Sequence, residues 1–234
     1  MTFSPTLLPK RTCTNKEHIS KKSRRTAGFF CVAHYKPGNI FPVDLSPLRI
    51  YNQIKVITRK EAHKMYTVDV IIPTYKPKKE LLEVLRRLNR QTIVPNRIIL
   101  MNTEEAYFDQ LIYGADFIKY YENCKVYHLS KLEFDHGATR NAGVYHSGAD
   151  YFIMMTQDAL PKHEYLIERL IEPLLSHKAA VSYARQLPRE DCNPIERYTR
   201  GFNYPDHSFV KHEEDVGMLG IKTYFCSNVC AAYR

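Results

Sequence analysis

The chain has 234 residues, 44% hydrophobic and 25% charged, with a formal net charge of +9; that is enough to bury a substantial core in one α/β domain with an appendage. The charge is not spread evenly: residues 1–64 carry 13 Lys/Arg against 3 Asp/Glu, and residues 65–234 carry 21 against 22. The basic excess therefore belongs to the leading segment, which excludes a nucleic-acid binder as the reading of the main domain.

The six cysteines, Cys13, Cys31, Cys124, Cys192, Cys226 and Cys230, show no metal-ligand spacing, and no secretory signal precedes them; they read as reduced thiols of a cytoplasmic protein. The longest apolar run of the leader, Gly28 to Ala33, is too short for a membrane span. Residues 1–64 lack a sustained period of two or 3.6 and mix clusters such as Lys21-Lys22-Ser23-Arg24-Arg25 with prolines, so they are expected to be poorly ordered. A nucleic-acid or lipid arm, a targeting peptide, or sequence upstream of a true start at Met65 would each account for them, and the last is placed first.

Val68 to Tyr75 is apolar on both faces, as a central parallel strand should be, and Pro73 ends its ladder. Lys78 to Gln91 places Leu81, Leu82, Val84, Leu85 and Leu88 at helical spacing. The unit repeats: strand Arg97 to Met101, helix Ala106 to Tyr121, strand Lys125 to Leu129, helix Gly137 to His146, strand Tyr151 to Thr156, helix Pro161 to Leu175 with Pro173 near its end, and strand Ala179 to Ala184. Such alternation predicts a mostly parallel sheet with helices on both faces. Beyond Arg185 the pattern weakens. Asn193-Pro194-Ile195-Glu196 is a helix start, Tyr204 to Glu214 reads as a loop, and the apolar run Tyr224 to Tyr233 stops at Arg234 as though cut within an element.

No Walker loop or GxGxxG follows the first strand, and no Gly-x-Ser-x-Gly elbow is present. What remains at the strand ends is Pro73-Thr74-Tyr75, Asn102-Thr103-Glu104, Arg140 and Asp158, where open α/β sheets bind ligands. The stretch Phe134 to Gly143 adds an imidazole, His136, and two glycines. Asp158 could equally be a turn or capping residue, Arg140 could pair with a surface carboxylate, and His136, Glu133 and Asp135 have structural readings beside functional ones.

The ordered motifs Val70-Ile71-Ile72-Pro73-Thr74-Tyr75, Gln91-Thr92, Ile98 to Glu104, His136-Gly137-Ala138-Thr139-Arg140-Asn141-Ala142-Gly143 and Thr156-Gln157-Asp158-Ala159 resemble the family-2 inverting glycosyltransferases, and within them bacterial rhamnosyltransferases. The resemblance covers Val68 to the end. It implies a glycosyltransferase A-type α/β fold that transfers L-rhamnose from dTDP-L-rhamnose, with inversion, to a bacterial surface polysaccharide; a UDP-hexose donor, or an inert nucleotide-sugar-binding fragment, are the alternatives.

The resemblance also implies roles. Pro73, Thr74, Tyr75, Asn102, Thr103, Glu104, Arg140 and Gln157 would meet the nucleotide, with Asn102-Thr103-Glu104 standing where the family usually has a pair of aspartates. Asp158 falls on the last position of the family's Asp-x-Asp motif, with Thr156 in place of the first aspartate, and would hold Mg²⁺ or Mn²⁺ completed by diphosphate oxygens and water. The family's Glu-Asp base motif lies beyond a segment like Cys226 to Arg234, so the base is expected past the last residue, and the domain, residues 65–234, is expected to be incomplete. Asp191, Glu214 and Asp215 are the substitutes within the chain. The acceptor would be a glycan or lipid-linked glycan, reached from the cytoplasm at the inner membrane face by peripheral association.

Overall fold

The computed structural model describes residues 29–32, 66–111 and 120–234. Most of the segment read from sequence as poorly ordered lies outside the described residues. Within it one strand is described, β1 (Phe29–Val32). The other strands are β2 (Val68–Tyr75), β3 (Arg97–Thr103), β4 (Cys124–Leu129), β5 (Tyr151–Met155), β6 (Val181–Ala184), β7 (Phe209–Lys211) and β8 (Cys230–Tyr233). The helices are α1 (Lys79–Leu88), α2 (Glu105–Leu111), α3 (His136–His146), α4 (Leu166–Leu175), α5 (Pro194–Asn203) and the single turn α6 (Val216–Leu219).

The described strands form one sheet in the order β4-β3-β2-β5-β8-β6-β1-β7. The block β4-β3-β2-β5 is parallel throughout. It matches the predicted repeat, because each βα unit returns the chain to the same end of the sheet. The far half is mixed: β8 inserts antiparallel between β5 and β6, and β1 lies antiparallel to β6 and parallel to β7.

Two-residue alternation along β2 sorts the core. Val70 and Ile72 face the layer of α1 and α4, where Leu81, Val84, Leu85 and Leu88 meet Ile167, Leu170, Ile171 and Leu174. Ile71 points the other way and joins Ile99, Met101 and Met154 beneath α3. Both faces of β2 are thus dry, which explains its lack of polar alternation. On the α3 side the approach is close: a Cβ on Gly143 would lie 2.4 Å from Ile71 Cγ2 and 3.3 Å from Met101 Cγ. Only a glycine lets α3 sit that low on the sheet.

Two expectations change, and a third is described only in part. Residues 161–165 do not join α4, because their carbonyls are taken by the end of α1: Arg87 Nη1 donates to Pro161 O at 2.8 Å, Gln91 Nε2 to His163 O at 2.9 Å and Thr92 N to Glu164 O at 2.6 Å. Gln91 Oε1 in turn accepts from Ile167 N at 3.2 Å and supplies the partner that the first turn of α4 lacks. The stretch Tyr204 to Glu214 contains β7 and the start of a short 3-10 turn, since pairing with the distant β1 outweighs its polar composition. Of the helix predicted over Ala106 to Tyr121, Glu105–Leu111 is described as α2, and residues 112–119 lie outside the described set.

Candidate functional site

The carboxyl ends of β2, β3 and β5 meet at one edge of the sheet, and the amino end of α3 opens on the same edge because α3 runs back against the strands. Tyr75, the last residue of β2, is tied to the turn after β5 by a reciprocal pair: Tyr75 N donates to Gln157 Oε1 at 3.1 Å and Gln157 Nε2 donates to Tyr75 O at 3.0 Å. The side-chain amide thereby satisfies both backbone groups of a strand end that has no further partner. Thr156 N donates to Val229 O at 3.1 Å and Ala159 N to Thr156 O at 3.1 Å, which closes the turn. Asp158 stands at its tip, exposed, and its carboxylate makes no hydrogen bond or ion pair with a described residue.

Beside it lies an aromatic platform. Tyr75, 38% exposed, meets Tyr107 of α2 edge to face at 5.8 Å between centroids. Lys76, in the left-handed region at φ 45°, turns its ammonium over both rings, 4.8 Å from the Tyr107 centroid and 5.3 Å from that of Tyr75. Sequence reasoning reached Tyr75 and missed Lys76 and Tyr107; the signal was a lysine directly after the strand-ending Pro73-Thr74-Tyr75. Next to the platform Lys76, Pro77, Lys78, Lys79, Tyr107 and Gln110 line a groove of about 440 Å³.

The other strand-end residues form the floor. Asn102 is fully buried: its Oδ1 accepts from Thr74 Oγ1 at 3.1 Å, and its Nδ2 donates to Glu104 O at 3.2 Å and to His128 Nδ1 at 3.0 Å. The carbonyl of Glu104 can only accept, which fixes the amide orientation, so His128 Nδ1 is an acceptor and the neutral ring carries its proton on Nε2. Thr74 and Thr103 are 2% exposed, and Thr103 Oγ1 has no hydrogen-bond partner. Asn102 thus holds two strand ends together with every amide proton already engaged. Glu104, at φ 67°, aims its Oε1 at the Lys131 amide, 3.3 Å away, so its carboxylate braces the loop after β4. Pro73 is half-buried between the two layers.

Arg140, one turn into α3, donates to His136 O at 2.8 Å, leaving most of its guanidinium protons for another partner. It lies within electrostatic reach of Tyr233, whose phenol is pushed up by burial and by the neighbouring Cys226 while Arg140 pulls it the other way. Asn141 and His136 are exposed, and His136 packs edge to face on Phe134 at 4.9 Å. Asp135 is spent as the cap of α3: Oδ1 accepts from Gly137 N at 2.9 Å and Ala138 N at 2.8 Å, and those amides hold its carboxyl below the usual range. Glu133 accepts from Ser130 N at 2.7 Å and is lowered for the same reason.

The three substitutes for a base lie apart from this edge in sequence and differ in availability. Asp215 Oδ2 accepts from His212 N at 2.7 Å in a capping box, so its carboxylate is engaged. Asp191 and Glu214 are exposed and make no hydrogen bond or ion pair with a described residue. A residue the sequence did not single out, Lys211, is 2% exposed and donates to Phe225 O at 2.6 Å, Lys222 O at 2.9 Å and Tyr183 Oη at 3.2 Å. Burial lowers its pKa; its work is to pin the turn at Lys222 to Phe225.

Among the described residues no three His, Cys, Asp or Glu side chains cluster as a ready-made metal cage. The donor set at this edge is the single carboxylate of Asp158, unengaged and open to solvent. That fits a hard divalent cation only where a ligand's own oxygens complete the shell. No helix among the described residues is long and apolar enough to cross a membrane.

The family model for "Glycosyl transferase family 2" matches residues 69–234. The chain is 36% identical over 168 residues to the O-antigen chain rhamnosyltransferase RfbN of Salmonella typhimurium, covering 71% of this chain and 52% of that protein. It is 31% identical over 172 residues to the O-antigen chain rhamnosyltransferase WbaN of Salmonella anatum, covering 73% of this chain and 53% of that one. It spans about half the length of these curated relatives. Among solved structures it is similar to the mannosyltransferase PcManGT from Pyrobaculum calidifontis in complex with GDP-Man and Mn²⁺, with 12% identity and a TM-score of 0.46 over 72% of this chain and 44% of that one.

Proposed function

The chain belongs to glycosyl transferase family 2, and from that premise we propose that it transfers L-rhamnose from dTDP-L-rhamnose to a polysaccharide or lipid-linked glycan acceptor with inversion. The observation that carries this reading is the strand-end edge, where the unengaged carboxylate of Asp158 and the Tyr75–Tyr107 platform are held in fixed relation by the Gln157 amide. The two rhamnosyltransferases that it resembles support the choice of sugar and of a polysaccharide acceptor.

On this reading each group has a separate task. The exposed ring of Tyr75, braced edge to face by Tyr107, receives the nucleobase, and Lys76 lies over both rings where a phosphate or ribose oxygen would add a second partner. Arg140 offers its remaining N–H groups to the diphosphate. Asp158 would hold Mg²⁺ or Mn²⁺ against that diphosphate, and the cation would supply charge neutralisation for the leaving group. The acceptor hydroxyl oxygen attacks the anomeric carbon from the opposite face as the bond to the phosphate oxygen breaks, and its proton passes to a carboxylate base. Within this chain Asp191 and Glu214 are the candidates for that base whose carboxylates are not engaged. We place the reaction in the cytoplasm at the inner membrane face; the four described cysteines are free thiols, in keeping with a reducing compartment.

Calorimetric titration with dTDP and UDP, with and without Mn²⁺, tests the donor site. The expected result is tighter binding of dTDP than UDP, Mn²⁺-dependent, and weakened by about tenfold or more in Asp158→Ala. Binding indifferent to Mn²⁺ in both proteins would remove Asp158 from the site.

A further inference from the structure

Helix α5 is amphipathic, yet none of its residues is buried. Ile195, Tyr198 and Phe202 are 79%, 73% and 60% exposed, so core packing does not account for its apolar side. Tyr198 and Phe202 stack at 6.2 Å with 14° between planes, and Lys222 Nζ sits 3.9 Å from the Phe202 centroid. On another flank of α5 a groove of about 660 Å³ is bordered by Gln186, Ile195, Glu196, Thr199, Arg200, Asn203 and Tyr204, within the size range of small-ligand sites.

The groove is rich in amides and hydroxyls and electrically compensated. Glu196 and Arg200 pair at 3.5 Å. Thr199 and Asn203 are exposed, and Gln186 donates through Nε2 to Tyr204 Oη at 2.5 Å and to Ser227 Oγ at 2.7 Å, leaving its carbonyl oxygen without a described partner. Neutral hydroxyl-bearing ligands match such a lining, since they exchange hydrogen bonds with amides and hydroxyls and rest an apolar face on the exposed Ile195 side chain.

Its position links it to the donor edge. Met154 of β5, Ala231 of β8 and Tyr183 of β6 lie in one register, and β5 and β6 run the same way because β8 opposes both. Asp158 and Gln186 therefore leave the same edge of the sheet, two strand spacings apart, roughly 10 Å at the level of the strands. The turn preceding β8 bridges them: Val229 O accepts from Thr156 N, and Ser227 Oγ accepts from Gln186.

Resting on the glycosyl-transfer reading, we propose that the groove along α5 is the subsite for the neutral acceptor glycan, with the exposed Ile195 as its apolar wall. Saturation-transfer NMR on the full chain with methyl glycosides of L-rhamnose, D-galactose and D-mannose tests it. At least one glycoside is expected to receive saturation. That signal should weaken by about tenfold in Thr199→Trp and in Asn203→Trp, which fill the groove from exposed positions, while dTDP binding is unchanged. No signal with any glycoside, a signal unaffected by both Trp substitutions, or one displaced by dTDP would overturn the proposal. If the wild-type chain bound neither dTDP nor UDP, the donor reading would fall, whereas a glycoside signal lost in the Trp variants would still assign the groove to sugar.

Discussion

The same substitution, Gly to Ala, should have opposite signs in two helices of this protein. In α3 a Cβ on Gly143 would stand 2.4 Å from Ile71 Cγ2, about an ångström inside ordinary contact, and 3.3 Å from Met101 Cγ. Ile71 is β-branched, fully buried and on the central strand β2, so it cannot turn away, and the helix must lift. Overpacking of this kind costs up to about 3 kcal/mol, against about 1 kcal/mol gained from the better helix propensity of alanine. The net expectation for Gly143→Ala is a loss of about 2 kcal/mol. In α5 a Cβ on Gly201 meets nothing within 4 Å, so Gly201→Ala keeps only the propensity gain, about 0.5–1 kcal/mol. Urea unfolding of both variants and the wild type measures the two changes, with an unchanged m-value showing that the same transition is compared. Because α3 carries Arg140, the lifted helix should also weaken dTDP binding, which Gly201→Ala leaves alone. A Gly143→Ala protein as stable as the wild type would refute the claim that glycine sets the height of α3 above the sheet.

Two further outcomes follow from particular bonds. Gln91→Ala should cost about 1–3 kcal/mol, because it strips the buried Ile167 amide of its acceptor and His163 O of its donor; since it also frees the loop behind Asp158, the Mn²⁺ enhancement of nucleotide binding should shrink, and a variant with native stability would discount the clasp. Asp135→Asn keeps an acceptor for the Gly137 and Ala138 amides but cannot titrate. The Asp135 carboxyl is held below its ordinary 3.8, so its contribution is present above that value and is lost as pH falls through the lowered one. The stability difference between wild type and Asp135→Asn, followed by denaturation from neutral to acid pH, should narrow as pH drops; a difference constant with pH would count against this role.

The parallel block was legible in the sequence because its signals are local: Val68 to Tyr75 is doubly apolar, and α1 repeats Leu81, Val84, Leu85 and Leu88 on one face. The far half was not. Cys230–Tyr233 reads as a short apolar run of either kind, and only its insertion between β5 and β6 makes it a strand; Phe209–Lys211 has no pattern at all and depends on β1. At the candidate site, sequence pointed to one edge of the sheet but not to the division of labour along it. Asn102 and Asp158 look alike as polar residues after apolar strands, yet one is sealed beneath Thr74 and His128 and the other is exposed. That difference depends on which neighbouring chain end lies over each residue.

The bonds that shape the edge join distant points of the chain. Tyr75 and Gln157 are 82 residues apart, Gln91 and Ile167 are 76 apart, and Gln186 and Ser227 are 41 apart. A folding intermediate holding only β2, β3 and β4 would own the platform and the floor without Asp158. Recovery of metal-dependent nucleotide binding during refolding should therefore lag behind the appearance of secondary structure, since long loops must close before the last partners meet. On the proposed donor-site reading, ligand affinity would serve as a clock for the final step of assembly.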